Sequence, residues 1–227
     1  MGNLFSKFFG TVGVIDSIRV TLVMSFWSTL IASMLGIFLG LVLEQTKFPG
    51  KKLVVRVNRT LMGAPPVVIG LLTYMLLRKK GPFGALRWVF TIKGMVTAQV
   101  LIITPIVCGM VYSYVVRTAP SIRAFARTMG ADRHQTARLL LREMKNEIYF
   151  AVVSGYGRSI SEVGAVFLVG GNIKNSTRTM TTAISTLKGA GDYYEGVFLG
   201  VILMLLAFAV QTLAEHFRQE ETPDENL

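Results

Sequence analysis

The sequence predicts an all-α membrane protein with about five transmembrane helices, and three observations lead to that prediction. Hydrophobic residues make up 52% of the 227-residue chain, whereas charged residues make up only 16%. The mean hydropathy is +0.51. Apolar runs long enough to cross a bilayer recur along the chain. An average soluble domain has about a quarter of its residues charged, so a soluble enzyme and a disordered chain are both disfavoured.

The predicted spans follow these apolar runs, at about 18–43, 58–78, 94–117, 147–171 and 194–215. Each span is expected to be helical, because lipid offers no partners for unpaired backbone groups. The whole chain, 1–227, is interpreted as a single transmembrane domain. Residues 1–9 are expected to lie at the membrane surface rather than to form a cleaved signal peptide.

Small residues and prolines predict how the spans pack and bend. Close helix contact is expected at two glycine pairs spaced by four residues, Gly36 with Gly40 and Gly196 with Gly200. Pro65-Pro66 predicts a kink in the second span, since proline removes a backbone donor and clashes with the preceding turn. Pro105 and Gly109 predict a second kink, in the third span.

Basic residues predict the orientation of the chain in the membrane. The chain has 24 Lys and Arg against 13 Asp and Glu, which gives a net charge of +11. One predicted side carries thirteen basic residues and the other carries ten. The positive-inside rule therefore favours a multi-pass protein of the cytoplasmic membrane with its long loop and C-terminus inside and its N-terminus outside. The outer cations are expected to attract anions.

Residue types that carry catalysis are sparse. The chain has one cysteine, Cys108, and its two histidines, His134 and His216, lack metal-ligand spacing. No phosphate-binding loop of the Walker type occurs in the sequence. The chain is therefore predicted to be non-catalytic, without a cofactor or metal of its own. If ATP drives its activity, ATP and Mg²⁺ are expected on a separate subunit.

The long polar loop at about 118–145 is predicted to form a helix–glycine–helix hairpin. A first helix is expected to begin at Ala119-Pro120-Ser121, because proline favours the first turn. Gly130 is expected to end or bend it, and a second helix is expected to begin with Ala131-Asp132-Arg133. An alternative is a solvated basic loop that faces anionic lipid.

The same loop resembles the cytoplasmic motif of ATP-binding-cassette importer permeases. That motif has Glu-Ala-Ala, three residues and then Gly; here Ala124-Phe125-Ala126 and Gly130 take these places, and Ala124 departs from the leading Glu. Arg142-Glu143 replaces the downstream Leu-Pro pair. In the family this loop docks on the ATPase subunit. The resemblance thus implies an ATPase-coupling role for Ala126, Gly130, Ala131, Asp132 and Arg133.

A second resemblance covers segments 64–72, 81–84, 155–165, 169–173 and 177–184. These are similar to permeases of the oxyanion branch of the family, and most similar to the tungstate type. The resemblance implies the importer-type transmembrane domain, a homodimer, two ATPase subunits and an extracytoplasmic oxyanion-binding protein, with no nucleic acid. Tungstate is the expected cargo, and molybdate or sulfate is the alternative. A secondary anion transporter is the alternative from another class, and a membrane enzyme is a more distant one.

Seven polar residues are candidates for the anion path: Arg158, Glu162, Asn172, Thr177, Arg178, Thr179 and Thr181. Arg158 and Glu162 lie four residues apart, so they share a helix face. They are interpreted either as a structural ion pair or as part of the path. The segment with Asn172 and Arg178 either binds a tetrahedral anion or forms a polar turn at the membrane surface.

Overall fold

The computed structural model describes the backbone of residues 13–221, and their side chains except those of 214 and 216–221. The expectation for residues 1–9 lies outside this range. Within it the regular structure is entirely helical. The helices are α1 (Val14–Gln45), α2 (Lys51–Met62), α3 (Pro66–Leu77), α4 (Ile92–Thr128), α5 (Arg133–Glu143), α6 (Lys145–Ile160), α7 (Gly164–Gly170), α8 (Met180–Ala190) and α9 (Tyr193–Glu221), with a short 3-10 helix at Gly84–Leu86.

Three of these helices are long and apolar enough to cross a membrane: α1, α4 and the part of α9 over Tyr193–Leu213. Helices α2 and α3 make a fourth span if the two are counted together, although they meet at a bend of 105°. The described residues therefore give three or four spans by length and composition, where the sequence predicted about five. The difference lies in the predicted spans 58–78 and 147–171, which are both interrupted.

The predicted span 58–78 is broken at the two prolines. Helix α2 begins earlier than predicted, at Lys51, and ends at Met62. Pro65 is extended, because the residue before a proline avoids the helical region. Pro66 then opens α3, in the first turn where its missing N–H group is not needed. The kink predicted here is thus confirmed, as a full break.

The predicted span 147–171 is also two helices, because α6 ends at Ile160 and α7 begins at Gly164. The carboxylate of Glu162, between them, accepts a hydrogen bond from the N–H of Ala165 at 3.1 Å and so satisfies the start of α7. Gly164 packs closely on α3, where an added Cβ would lie 2.5 Å from Val67 Cγ2. With a rise of about 10 Å, α7 is far shorter than a bilayer core.

Helix α4 is longer than the predicted span 94–117. Its 37 residues continue through Pro105 and Pro120, so the prediction of a new helix at Ala119 is wrong. Ala119 and Val115 are buried in the same core cluster as Leu140 of α5, and this packing holds the extra turns in place. The helix rises about 55 Å, which exceeds the roughly 30 Å of a hydrocarbon core.

Helices α1 and α4 form the centre of the fold and approach each other through glycines. A Cβ on Gly36 would lie 2.7 Å from Val107 Cβ, and one on Gly40 would lie 3.0 Å from the carbonyl of Cys108. The predicted contact at Gly36 and Gly40 is therefore confirmed. The prediction for the other pair is wrong: a Cβ on Gly196 or Gly200 would meet its nearest neighbour at 3.7 or 3.9 Å, an ordinary separation.

Candidate functional site

The predicted coupling turn lies between α4 and α5. Gly130 has a left-handed backbone, with φ of 70°. The N–H of Ala131 donates to the carbonyl of Ala126 at 2.9 Å, and the N–H of Gly130 donates to that of Arg127 at 3.1 Å. This is the Schellman arrangement, which favours glycine at the position that Gly130 occupies. The predicted place of Gly130 at the turn of a hairpin is confirmed.

The residue after the turn, Asp132, starts α5 with a reciprocal cap. Its carboxylate accepts from the N–H of Gln135 at 2.7 Å, and the side chain of Gln135 accepts from the N–H of Asp132 at 2.9 Å. Such a capping box fixes the direction in which a helix begins. Because hydrogen bonds fix the backbone on both sides of the turn, the hairpin has one defined conformation.

The five predicted coupling residues differ in exposure. Gly130, Asp132 and Arg133 are exposed, Ala131 is partly buried and Ala126 is buried against the hairpin. A groove of about 580 Å³ runs beside them, and its lining includes Arg123, Arg127, Ala131, Asp132 and Arg133. The turn can therefore present a mixed-charge surface to another protein, while Ala126 belongs to its support.

An ion pair that the sequence did not predict joins this hairpin to α1. The guanidinium of Arg123 contacts the carboxylate of Glu44 through Nη1–Oε1 at 2.8 Å and Nη2–Oε2 at 2.6 Å. The Glu44 side chain is 11% exposed and that of Arg123 is 32% exposed. A signal existed, because Glu44 is the only acidic residue between Asp16 and Asp132. A single carboxylate in a segment with many basic residues is expected to form an ion pair with one of them.

The predicted ion pair of Arg158 and Glu162 is present. Arg158 Nη2 lies 3.3 Å from Glu162 Oε2, and the Glu162 side chain is 5% exposed while that of Arg158 is 38% exposed. Glu162 lies in the break between α6 and α7 rather than inside a helix, which corrects the prediction that both charges lie within a span. Its carboxylate also accepts from Ala165, and its carbonyl accepts from the hydroxyl of Thr181 at 2.9 Å.

The three threonines predicted for the anion path are buried and bonded to the protein itself. The hydroxyl of Thr177 donates to the carbonyl of Gly170 at 2.5 Å. Thr179 is the cap of α8, where its hydroxyl accepts from the N–H of Thr182 at 3.2 Å. The third hydroxyl, on Thr181, is the one that donates to Glu162. Of these bonds, the one from Thr181 joins the start of α8 to the break between α6 and α7, and the other two stabilise the loop and the start of α8 themselves.

Asn172 and Arg178 lie together in the loop before α8, apart from the threonine bonds. Arg178 Nε donates to Asn172 Oδ1 at 3.2 Å, and Asn172 Nδ2 donates to the hydroxyl of Thr186 at 2.7 Å. Asn172 is left-handed, with φ of 51°. The loop thus forms a polar turn, which was one of the two interpretations of this segment. It leaves Arg178 partly exposed, with guanidinium N–H groups directed at no carboxylate among the described residues.

A buried cluster of neutral side chains was missed by sequence reasoning. Ser28 donates to Gln99 Oε1 at 2.6 Å and lies 2.8 Å from the hydroxyl of Ser159, while Gln99 Nε2 donates to the carbonyl of Ser159 at 2.9 Å. These bonds join α1, α4 and α6. Uncharged polar residues do not interrupt an apolar run, so hydropathy alone could not distinguish them from lipid-facing serines and glutamines.

The described side chains offer donors for an anion rather than ligands for a metal. Among them no three His, Cys, Asp or Glu residues form a group that could hold a metal ion. Glu44 and Glu162 each have an arginine partner. The threonine hydroxyls and the Asn172 amide are bonded within the protein, so the donors left for an oxyanion are the partly exposed guanidinium groups of Arg158 and Arg178.

Comparison with known proteins places the chain among transport proteins. A family described as "Binding-protein-dependent transport system inner membrane component" matches residues 32–220. The tungstate uptake system permease protein TupB of Peptoclostridium acidaminophilum is 36% identical over 193 residues, or 85% of each chain. A probable anion ABC transporter permease protein of Haloferax volcanii is 35% identical over 212 residues, or 91% of each chain. The TupB of Campylobacter jejuni is 31% identical over 216 residues, covering 95% of this chain and 90% of the relative.

Solved structures share the fold. A bacterial alginate ABC transporter, crystallised with its periplasmic protein bound to an alginate pentasaccharide, matches with a TM-score of 0.72 and 19% identity. The match covers 92% of this chain and 79% of that one. The all-α prediction and the importer-type transmembrane domain are thus confirmed. The chain belongs to the inner membrane components of binding-protein-dependent transport systems, and it is the multi-pass permease subunit of an ATP-binding-cassette importer.

Proposed function

We propose that this permease carries tungstate across the cytoplasmic membrane. The observation that carries the proposal is the 36% identity to a tungstate uptake permease over 85% of both chains. A second tungstate permease and an anion permease are 31% and 35% identical, again over most of each chain. Molybdate is the nearest competing cargo, because it shares the charge and the tetrahedral shape of tungstate.

The working assembly is a homodimer of this chain with two ATPase subunits and an extracytoplasmic oxyanion-binding protein. The permease itself is non-catalytic and binds no cofactor, and ATP with Mg²⁺ belongs to the ATPase subunits. The hairpin at Gly130 supports this assignment, because its capped turn exposes Asp132 and Arg133 beside a groove. Coupling is therefore assigned to this turn, with Ala126 and Ala131 as its support.

The N-terminus is proposed to lie outside and the C-terminus in the cytoplasm. The packing of the helix ends supports this orientation. Val14, at the start of α1, packs in one cluster with Met180 and Leu199, near the start of α9, so these two helices begin at the same end of the bundle. Glu44, at the other end of α1, contacts Arg123 beside the coupling hairpin. That end is the one expected to face the ATPase.

The anion path is assigned to the region around Arg158 and Arg178. Both guanidinium groups are partly exposed, and each is held by a neighbouring side chain, Glu162 or Asn172. Such preoriented cations are suited to weak contact with a passing anion. The buried Thr177, Thr179 and Thr181 shape this region through their bonds to the backbone.

The test is uptake by the complex reconstituted in proteoliposomes with its ATPase and binding protein. Radiolabelled tungstate, molybdate, sulfate and phosphate are offered separately. We expect tungstate to be taken up best and molybdate less well, and uptake to require both ATP and the binding protein. A vesicle with an ATPase variant unable to hydrolyse ATP is the control. Efficient uptake of sulfate or phosphate, with none of tungstate, would overturn the cargo assignment.

A further inference from the structure

We propose that a groove beside the end of α1 binds the phosphate headgroup of an anionic phospholipid. The groove encloses about 760 Å³ between the loop after α1, the first half of α2 and Tyr112 of α4. Five basic residues line it: Lys47, Lys51, Lys52, Arg56 and Arg59. The proposal does not depend on which anion the permease carries.

The positive charge of the groove is not neutralised within the described part of the chain. Both ion pairs found there lie elsewhere, and the nearby carboxylate of Glu44 is taken by Arg123. Lys51 stabilises the end of α1, because its Nζ donates to the carbonyls of Glu44 and Thr46 at 3.0 Å each. The other four basic side chains are exposed and have no acidic partner among the described residues.

The start of α2 adds to the attraction for an anion. Its first residues, Lys51 and Lys52, line the groove together with the preceding Gly50, and no side chain caps the helix. The N–H groups of Lys51 and Leu53 are already bonded to the carbonyls of Phe48 and Gly50, so the attraction at this end comes from the helix dipole, which favours an anion. The two observations are independent: one concerns side-chain charge, the other the direction of the backbone.

A phospholipid fits better than a free anion or an acidic protein because α2 is amphipathic. Its far side exposes four apolar residues, Leu53, Val54, Val57 and Leu61, and none of its residues is buried. The groove also lies where the membrane helix α1 ends, and it includes the exposed ring of Phe48. A diacyl lipid joins a phosphate in the headgroup layer to apolar chains directly beneath it, so a helix at this boundary can contact the phosphate with its basic face and the chains with its apolar face.

The test measures lipid selectivity of the full-length permease in phosphatidylcholine bilayers. Spin-labelled phosphatidylglycerol and spin-labelled phosphatidylcholine report, by electron paramagnetic resonance, how strongly each lipid associates with the protein. We expect the wild-type chain to prefer phosphatidylglycerol. The variant Lys52→Gln/Arg56→Gln/Arg59→Gln should lose most of that preference, a drop of about threefold or more.

A matched control removes three exposed cations from the other end of the following helix, as Arg78→Gln/Lys79→Gln/Lys80→Gln. This control should keep the preference. Should the groove variant fold poorly, the single change Arg56→Gln must still lower the preference in the same direction. An equal loss in the control, or no loss in either groove variant, would overturn the proposal.

Two further arms separate the possible occupants. Inorganic phosphate or soluble glycerophosphate, added at constant ionic strength, should leave the preference for phosphatidylglycerol unchanged. If either removes it, the groove is a site for free anions. If the groove variant keeps its lipid preference but no longer binds the ATPase subunit, the groove is a protein contact. Both of these results contradict lipid binding.

Discussion

The two ion pairs of this permease differ in almost every respect. Arg158 and Glu162 are four residues apart, meet at a helix break and share one contact of 3.3 Å. Arg123 and Glu44 are 79 residues apart, join two long helices and share two contacts, of 2.8 and 2.6 Å. The first pair is local and half open to solvent on its cationic side. The second is bidentate, less exposed on that side and located beside the predicted coupling hairpin.

The Arg158–Glu162 pair therefore stabilises one local segment, whereas the Glu44–Arg123 pair connects two helices. A pair within one helix end stabilises that end alone and competes with water around Arg158. A pair between the end of α1 and the extension of α4 fixes their relative position. We therefore expect the Glu44–Arg123 pair to affect both stability and coupling. The Arg158–Glu162 pair should contribute less to stability, whatever contact Arg158 makes with the transported anion.

The largest effect is expected for Glu44→Ala. It leaves the Arg123 guanidinium without its bidentate partner, which should lower the free energy of unfolding by about 2–3 kcal/mol. Movement of the hairpin would no longer be tied to α1. Uptake by the reconstituted complex should fall by about tenfold or more, while ATP hydrolysis continues.

The charge-exchange variant Glu44→Arg/Arg123→Glu is the control, and it should recover part of the lost uptake. Transport at the wild-type rate in Glu44→Ala would contradict the connecting role of this pair. Equal loss of uptake in the single and exchanged variants would show that the attraction between the two charges is not what supports uptake.

A smaller effect is expected for Gly130→Val, which changes the same region without touching either ion pair. Space is not the obstacle, because an added Cβ would meet nothing within 4 Å. The cost comes from φ of 70°, which a β-branched residue adopts only with strain of about 1–2 kcal/mol. The variant should insert in the membrane normally but couple ATP hydrolysis to uptake poorly.

Gly130→Asn is the matched control, since asparagine tolerates the left-handed region, and it should retain most uptake. The ratio of ions transported to ATP hydrolysed is the measurement. If valine and asparagine give the same ratio, the backbone conformation of the turn does not matter for coupling.

The smallest effect is expected at the local pair. Arg158→Ala should cost less than 1 kcal/mol, because its side chain is 38% exposed and an exposed pair contributes roughly 0–1 kcal/mol. Glu162→Ala should cost about 1–2 kcal/mol, since it also removes the acceptor for the N–H of Ala165. Unfolding in mixed detergent measures both, together with the double variant. A coupling energy above that of the Glu44–Arg123 pair would reverse the comparison.

Features set by neighbours in the sequence were predictable. The left-handed Gly130, the break at Pro65-Pro66 and the pairing of Arg158 with Glu162 each depend on residues within one or two turns. The close contact at Gly36 and Gly40 also followed, because small residues four apart leave a groove on any helix.

Features set by tertiary packing were not predictable. The helix at Pro120 continues because Ala119 is buried, and no local rule for proline contains that information. The break after Ile160 depends on the close contact of Gly164 with Val67 of another helix. Gly196 and Gly200 follow the same spacing as the first pair, yet their nearest described neighbours, in α8, lie at the ordinary distances of 3.7 and 3.9 Å. The role of Thr179 as the cap of α8 could not be predicted, because hydropathy assigned the residues around it to a polar loop and not to the start of a helix.

The uninterrupted length of α4 has a mechanical consequence. This helix packs tightly on α1 at Val107 and Cys108, opposite Gly36 and Gly40, and this contact can serve as a fulcrum. From there about 32 Å of helix extends to Thr128 at the coupling end, and about 22 Å extends to Ile92 at the other. If α4 tilts as a rigid lever about this fulcrum, each ångström of lateral displacement at Thr128 moves Ile92 by about 0.7 Å in the opposite direction. Such a lever would reduce the amplitude of the movement and increase the force at the Ile92 end.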